Sequence, residues 1–283
     1  MSSTGPNSTP PPETSEAGTL DHGAHQHLLQ AFQEQQLHLR NQLVTNDDLR
    51  TFQVHGSGEG PSPTFHFPEL RLVGGVDISF TGEGFGTAVA GLVVLEFPSM
   101  NVVYAKFKEC RFDLPYIPGY LAFREVPILQ GMVRELREQA PELCPQIVLV
   151  DGNGVLHPRG FGLACHLGVV TNLPTIGVAK NFLQIDAEKD LTVARVRERM
   201  QQILDGGGDE LALVGQSGRT WGAAVCTPGT TKPIYISTGH RVSLPTAVTL
   251  VRECCKFRIP EPIRMADQLT RQYIRNMADR PSA

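Results

Sequence analysis

A carboxylate stands where a strand should be wholly apolar. Leu72–Phe80 reads as a β-strand, and Asp77 interrupts it between Val76 and Ile78. A buried, ionised carboxylate is costly unless it is paired or binds a metal, so Asp77 is the first candidate for chemistry. The second is Asp151, at the carboxyl end of the apolar run Ile147-Val148-Leu149-Val150. Ligands gather at such strand ends in open α/β sheets. Gly152-Asn153-Gly154 follows, with backbone freedom to turn sharply against a ligand. The next stretch, His157-Pro158-Arg159-Gly160-Phe161-Gly162, puts a titratable ring and a cation nearby. Glu125, at a helix start, and Asp267, on the C-terminal helix, are weaker signals singly. Together, carboxylates arriving from separate elements are the usual means of holding Mg²⁺ or Mn²⁺ ions ~3.5–4 Å apart for in-line phosphoryl chemistry. Lys180, just beyond the apolar run Thr175–Val178, would offer a cation to charge developing on a phosphate.

The elements that must position these residues follow from periodicity and punctuation. Strands are expected at Leu72–Phe80, Thr87–Phe97, Val102–Asp113, Ile147–Val150, Thr175–Val178, Leu211–Val214, Trp221–Cys226 and Pro233–Ser237. Helices are expected at Glu125–Gln139, with Pro127 in the first turn, and at Phe161–Thr171, Leu191–Leu204, Leu244–Cys255 and Pro262–Met277. Three strands and then alternating helices and strands indicate an α/β domain with a mixed sheet. Upstream, residues 1–26 read as a disordered tail, poor in apolar residues. Residues 27–65 read as an amphipathic helix (His27–Val44) and a linker, with a loop at Gly56–Pro63. The domain proper is expected over 66–277, with 278–283 as a tail. Gly82, Gly84 and Gly86 lie between two strands and read as a hairpin loop, not as a dinucleotide fingerprint.

Composition narrows the class further. The 283 residues are 41% hydrophobic and 19% charged, enough apolar material for a sizeable core. The net charge of −4 argues at first against a nucleic-acid partner. Seven acids and two bases fall in residues 1–65, however, leaving 22 acids and 23 bases in residues 66–283. If four of those acids face metal ions, the remaining surface carries a basic excess that can track phosphates. Six cysteines without C-x-x-C spacing read as reduced thiols. The N-terminus lacks the pattern of a signal peptide, and the longest apolar run, around Ala88–Leu95, is far short of the ~20 residues of a membrane span. The expectation is a soluble intracellular protein, cytoplasmic or nuclear and not secreted, with no membrane partner.

Several of these segments together resemble one family. Val73-Gly74-Gly75-Val76-Asp77-Ile78-Ser79-Phe80 looks like the first-strand motif of the endonuclease V family. Pro115-Tyr116-Ile117-Pro118-Gly119-Tyr120-Leu121-Ala122-Phe123-Arg124-Glu125 resembles its wedge-and-helix motif, and Val150–Gly162 its central motif. Gly177-Val178-Ala179-Lys180, Gly239-His240-Arg241 and Arg258-Ile259-Pro260-Glu261-Pro262 also match, in order, over roughly residues 70–275. The resemblance implies a ribonuclease H-like mixed sheet flanked by helices. It implies Mg²⁺-dependent cleavage of inosine-containing nucleic acid at the second phosphodiester bond 3′ to inosine, leaving 3′-hydroxyl and 5′-phosphate ends, with Mn²⁺ able to substitute. Carried over, Asp77, Asp151 and Glu125 would be metal ligands, with Asp267 near them, and Lys180 would stabilise the transition state. Tyr116, with Pro115, Ile117, Pro118 and Gly119, would form the wedge. Gly152, Asn153 and Gly154, with His157 beside them, would meet the target nucleotide. Ala164–Val169 and the pair Cys254-Cys255 resemble eukaryotic members, which favour single-stranded RNA; deoxyinosine DNA would be cut residually. The enzyme is expected to act as a monomer. Three other readings stand beside this one: a non-catalytic inosine-RNA binding protein, a deoxyinosine DNA repair endonuclease, and a metal nuclease of the same fold with another substrate.

Overall fold

In the computed structural model, which describes residues 22–57, 64–81, 87–112 and 117–278, the apolar runs assemble into one large sheet. In chain order the elements are α1 (His22–Arg40), β1 (His55–Ser57), β2 (Thr64–His66), β3 (Leu72–Phe80), β4 (Thr87–Glu96) and β5 (Asn101–Arg111). There follow α2 (Ala122–Gln139), β6 (Ile147–Asp151), α3 (Leu163–Thr171), β7 (Thr175–Ala179) and α4 (Val193–Asp205). The last are β8 (Glu210–Val214), β9 (Thr220–Val225), β10 (Ile234–His240), α5 (Leu244–Glu253) and α6 (Glu261–Ala278). The sheet has eight strands in the order β5-β4-β3-β6-β7-β10-β9-β8. β3, β6 and β7 run parallel, and every other pairing is antiparallel. This is the ribonuclease H-like mixed sheet that the resemblance implied.

Alternation explains why the middle of the sheet is apolar on both faces. On β6, Ile147 and Leu149 face the core packed by α5 and α6, while Val148 and Val150 face the core packed by α2 and α3. On β4, Val93 and Leu95 join the first core and Leu92 and Val94 the second. Strands buried on both sides read as continuous apolar runs, which made them visible in the sequence. A third core lies under α4, against β8 and β9. Among the described residues, no helix is long and apolar enough to cross a membrane.

One helix comes unusually close to the sheet. A Cβ on Gly75 would lie 2.0 Å from the Pro262 carbonyl oxygen, and one on Gly91 would lie 2.1 Å from Thr270 Oγ1. Gly91 pairs with Asp77 across β3 and β4. Two missing side chains thus let α6 settle on the two strands beside Asp77. From Gly75 to Asp77 the strand advances about 6.7 Å, and from Pro262 to Asp267 the helix advances about 7.5 Å. The helix therefore delivers Asp267 level with Asp77.

Several boundaries differ from expectation. α1 begins at His22 and ends at Arg40, so residues 22–26 are helix and not tail, and residues 41–44 leave the helix to reach the sheet. There Arg241 N–H donates to the Val44 carbonyl (2.7 Å) and the Arg241 guanidinium pairs with Asp48 (2.7 Å). The segment read as a linker is thereby tied to the sheet, and Gly56 and Ser57 pair with Phe65 and Thr64 in a short ladder of β1 and β2 instead of lying in a loop. α2 starts three residues before Glu125, because the Ile117–Tyr120 turn feeds it directly: Tyr120 N–H donates to Ile117 O and Phe123 N–H to Tyr120 O. Pro127 is then inside the helix, past its first turn. The expected tail over residues 1–21, the loop glycines 82–86, the rest of the loop at 58–63, Pro115, Tyr116 and residues 279–283 lie outside the described residues.

A paired substitution checks the close approach of α6. Gly75→Ala should cost about 1–3 kcal/mol through the forced backbone shift, lowering the melting temperature by several degrees. Gly131→Ala on α2, where a Cβ would meet nothing within 4 Å, should raise stability by about 1 kcal/mol through helix propensity. Equal effects at the two positions in thermal melts would contradict the packing described.

Candidate active site

Period-two alternation brings the candidate residues together. Val73, Gly75 and Asp77 share one face of β3, and Ile147, Leu149 and Asp151 share the same face of β6, as their common core shows. The two strands are parallel with Val76 opposite Val150, so Asp77 and Asp151 are the next neighbours across the pair. On β7, Val178 faces that side too, and Lys180 lies two residues on. Its ammonium donates to Asp151 Oδ2 at 2.5 Å. Asp267 approaches from α6, and its Oδ1 accepts from Arg271 Nε (2.8 Å) one helical turn later. Glu125 reaches in from α2, on the other side of the sheet. A cavity of about 220 Å³ holds Asp77, Glu125 and Asp151 between Val76, Ile78, Leu129 and Leu163. A second, of about 490 Å³, joins Asp77 to Lys180, Asp267 and Arg271. Asp77 borders both cavities and forms their common wall.

The electrostatics are those of an acidic cluster only partly compensated by Lys180, Arg271 and Arg124. Asp77 is 9% exposed and Glu125 6%. Burial first, then the charge of Asp151 and a hydrogen bond with it, then the charge of Asp267, push the Asp77 carboxyl up to about 7, against the pull of Lys180. Burial and the charge of Asp77 push Glu125 up to about 7 as well, although Arg124 works in the opposite direction. Burial opposes the Lys180 ammonium, but the hydrogen bond to Asp151 and the surrounding carboxylates raise its pKa above the usual value. Ser79, two residues beyond Asp77 on the same face, donates to Asp77 Oδ2 at 3.0 Å.

Among the described residues, no three His, Cys, Asp or Glu side chains gather tightly enough to cage an ion by themselves. The donor set nonetheless fits a hard divalent cation. Its ligands are all carboxylate oxygens, and Mg²⁺ keeps several of its own waters and needs only one or two carboxylates. Asp77, Asp151, Glu125 and Asp267 are the residues that would hold it, and a bound cation would remove the repulsion that raises the Asp77 and Glu125 pKa values.

The remaining candidates form a second group, around a tightly folded loop. Gly152 has φ +154°, and a Cβ on Gly154 would lie 2.0 Å from the Thr238 carbonyl oxygen. Gly154 N–H donates to Ser237 Oγ (2.9 Å) and Ala164 N–H to the Asn153 carbonyl (3.1 Å), which fixes the loop against β10 and α3. His157 stands on the same excursion, outside the carboxylate cavity. Its Nδ1 accepts from Arg159 N–H (3.2 Å), and burial and Arg159 lower its pKa to about 4, so the ring is neutral at pH 7. Ile117 and Gly119 pack nearby: Arg159 lies over the Tyr120 ring at 4.6 Å. Ile117 is buried, and Pro118 is exposed on the turn.

Four contributors received no role in the sequence reading: Gln36, Phe32, Arg258 and Ser79. Gln36 on α1, only 4% exposed, donates to the Gly119 and Phe161 carbonyls (3.3 and 3.2 Å) and accepts from Arg159 Nε (2.6 Å). Phe32 stacks on Phe123 at 4.4 Å beside it. Arg258 donates to the carbonyls of Lys180 (2.6 Å), Pro233 (2.9 Å) and Lys232 (3.1 Å), tethering the backbone that carries the ammonium. Ser79 was findable from its i+2 spacing to Asp77. Gln36 binds backbone carbonyls far along the chain, and no local pattern marks such a contact. Arg258 opens the matching segment Arg258–Pro262, but nothing local marks its carbonyl partners.

Folding raises the Asp77 and Glu125 pKa values above those of the unfolded chain. Their contribution to stability is therefore fully present below about pH 4 and is lost as the pH rises through about 7. Asp77→Asn should then raise the melting temperature of the metal-free protein at pH 8 by roughly 3–8 °C. That gain should shrink as the pH falls toward 4. A melting temperature at pH 8 that is unchanged or lowered by Asp77→Asn would contradict the repulsion described at Asp77.

Residues 61–268 match the family model for Endonuclease V. The chain is 51% identical over 210 residues to the Endonuclease V of Mus musculus, covering 74% of this chain and 61% of that protein. It is 49% identical over 216 residues to that of Homo sapiens, covering 76% of each. The chain thus spans less than two thirds of the mouse relative's length. Among solved structures, the catalytic domain of human Endonuclease V superposes with a TM-score of 0.79 at 42% identity, over 89% of this chain and 98% of that one. The Ciona intestinalis Endonuclease V, in complex with a 24mer DNA containing an inosine followed by a ribo-adenosine, superposes with a TM-score of 0.79 at 33% identity, over 89% and 99%.

Proposed function

The chain belongs to the endonuclease V family, and on that premise we propose that it is a divalent-cation-dependent endonuclease acting on inosine-containing nucleic acid. The observation that carries this reading is the convergence of Asp77, Glu125, Asp151 and Asp267 with Lys180 around two adjoining cavities. Such a set suits phosphodiester hydrolysis, where catalysis is positioning and charge neutralisation. When bound, Mg²⁺ or Mn²⁺ supplies Lewis acidity at the phosphate. Lys180, aimed by its bond to Asp151 and by the Arg258 tether, holds its ammonium beside the phosphate and meets charge developing on the leaving oxygen. All five groups come from one chain, which supports a catalytic unit that acts as a monomer.

The target base is hypoxanthine, read outside the stack. The loop of Gly152, Asn153 and Gly154, fixed against β10 and α3, is the segment that the resemblance assigns to the base, with neutral His157 close by and the Ile117-Pro118-Gly119 turn near it. Pro115 and Tyr116, assigned to the wedge by resemblance, complete that turn in sequence. A single strand is favoured because it avoids the cost of unpairing. RNA is favoured over DNA by the resemblance to eukaryotic members, and the bond cut is the second one 3′ to inosine, leaving 3′-hydroxyl and 5′-phosphate ends. The Ciona relative, solved with inosine-containing DNA, supports nucleic acid as substrate and makes deoxyinosine DNA the second reading.

The test uses single strands identical except for adenosine, inosine or deoxyinosine at one position, with Mg²⁺ present. Inosine RNA should be cut fastest, deoxyinosine DNA slowly and the adenosine strand not at all. Lys180→Ala should lower kcat by about 10²-fold or more with little change in KM. Equal cutting of adenosine and inosine strands would overturn the base assignment, and faster cutting of deoxyinosine DNA would overturn the RNA preference.

A further inference from the structure

Beyond Lys180, on the side away from the carboxylates, lies a cleft that the catalytic reading leaves unused. Its volume is about 280 Å³, and Lys180 is one of its walls. Phe182 and Tyr235 form an aromatic corner, with ring centroids 5.4 Å apart and planes tilted by 48°. Met200 and Val193 close it from α4, and Val193 is 46% exposed although apolar. Arg197 and Lys232 stand exposed on the rim, and among the described residues no acidic side chain lines the cleft. Arg258 fixes its floor, since its bonds to the Lys180, Lys232 and Pro233 carbonyls join the catalytic lysine's backbone to the opposite wall.

We propose that this cleft is a nucleotide subsite, which takes the base of one of the first nucleotides downstream of the cut bond on its aromatic corner and the adjoining phosphates on Arg197 and Lys232. The assignment rests on the nuclease reading above and extends it. A partly exposed aromatic and apolar corner with a cationic rim has the chemistry that single-stranded nucleic acid meets: rings for the base, cations for the backbone. A free nucleotide would find the same groups, but sharing Lys180 makes the cleft continuous with the place of the scissile phosphate. The direction follows from the two flanks. The Gly152–Gly154 loop and the Ile117–Gly119 turn hold the inosine side, so the strand leaves past Lys180 toward α4.

Such a subsite makes cleavage depend on nucleotides that are neither inosine nor the scissile phosphate. Inosine RNAs with a common 5′ part would be trimmed stepwise from the 3′ end until one nucleotide remains beyond the cut, with a matching series trimmed from the 5′ end. For the wild type, kcat/KM should fall roughly five- to fiftyfold as the first few downstream nucleotides are removed. An abasic site at one of those positions should reproduce most of that loss. In Arg197→Glu/Lys232→Glu, two exposed positions, melting temperature should hold while the ratio of long to short substrate falls toward one. Indifference to 3′ trimming, or dependence on 5′ trimming alone, would overturn the subsite. A chain that cuts no inosine strand of any length would instead overturn the nuclease reading on which it rests.

Discussion

The structure turns on the contact between α6 and the glycines of β3 and β4. Without side chains at Gly75 and Gly91, the helix lies against the sheet beside Asp77, and Asp267 comes level with it. The consequence is electrostatic. Four carboxylates surround a site in which Asp77 and Glu125 are almost fully buried, and Lys180, Arg271 and Arg124 offset their charge only in part. Hydrophobic packing on both faces of the sheet holds that repulsive arrangement in place. A cation relieves it, so binding at the site and stability of the fold are linked.

The same arrangement explains why much of the site was visible in sequence. An aspartate inside an apolar strand, and another at the end of a four-residue apolar run, break patterns that hydrophobic burial otherwise imposes. Asp77 and Asp151 stand out for that reason, and the parallel register of β3 and β6 makes them neighbours. Glu125 and Asp267 carry no such anomaly, because acids are ordinary on helices; only their convergence distinguishes them. The sheet strands were legible to within a residue or two at most ends, since period and turn residues mark them. The start of α2 was not, because its cap position is Leu121, which has no capping side chain. That of α1 was not, because His22–His27 carries no apolar periodicity even though Asp21 precedes it.

The N-terminal segment shows where local reading fails. Its acidity and polar spacing suggest an accessory helix and linker, yet Asp47 and Asp48 are spent on contacts within the fold. Asp48 pairs with Arg241, and Asp47 accepts from the Ser243 N–H and hydroxyl at the start of α5. Gln36 and Phe32 of α1 pack against the turn and loop assigned to the target base. Acids that make the chain negative overall are thus partly neutralised inside it, as the acids of the site would be by a cation. The exposed cations Arg197 and Lys232 lie along the proposed path of the strand, so net charge is a poor guide to what this surface binds.

The most direct test of this account is proton release on metal binding. Calorimetric titration of the wild-type protein with Mg²⁺ or Mn²⁺, in buffers of different ionisation enthalpy, counts the protons expelled. With Asp77 and Glu125 each pushed up to about 7, binding at pH 7 should release roughly one proton, falling to none by about pH 9. Binding at pH 7 with no proton released would show that these carboxylates are not held together as described.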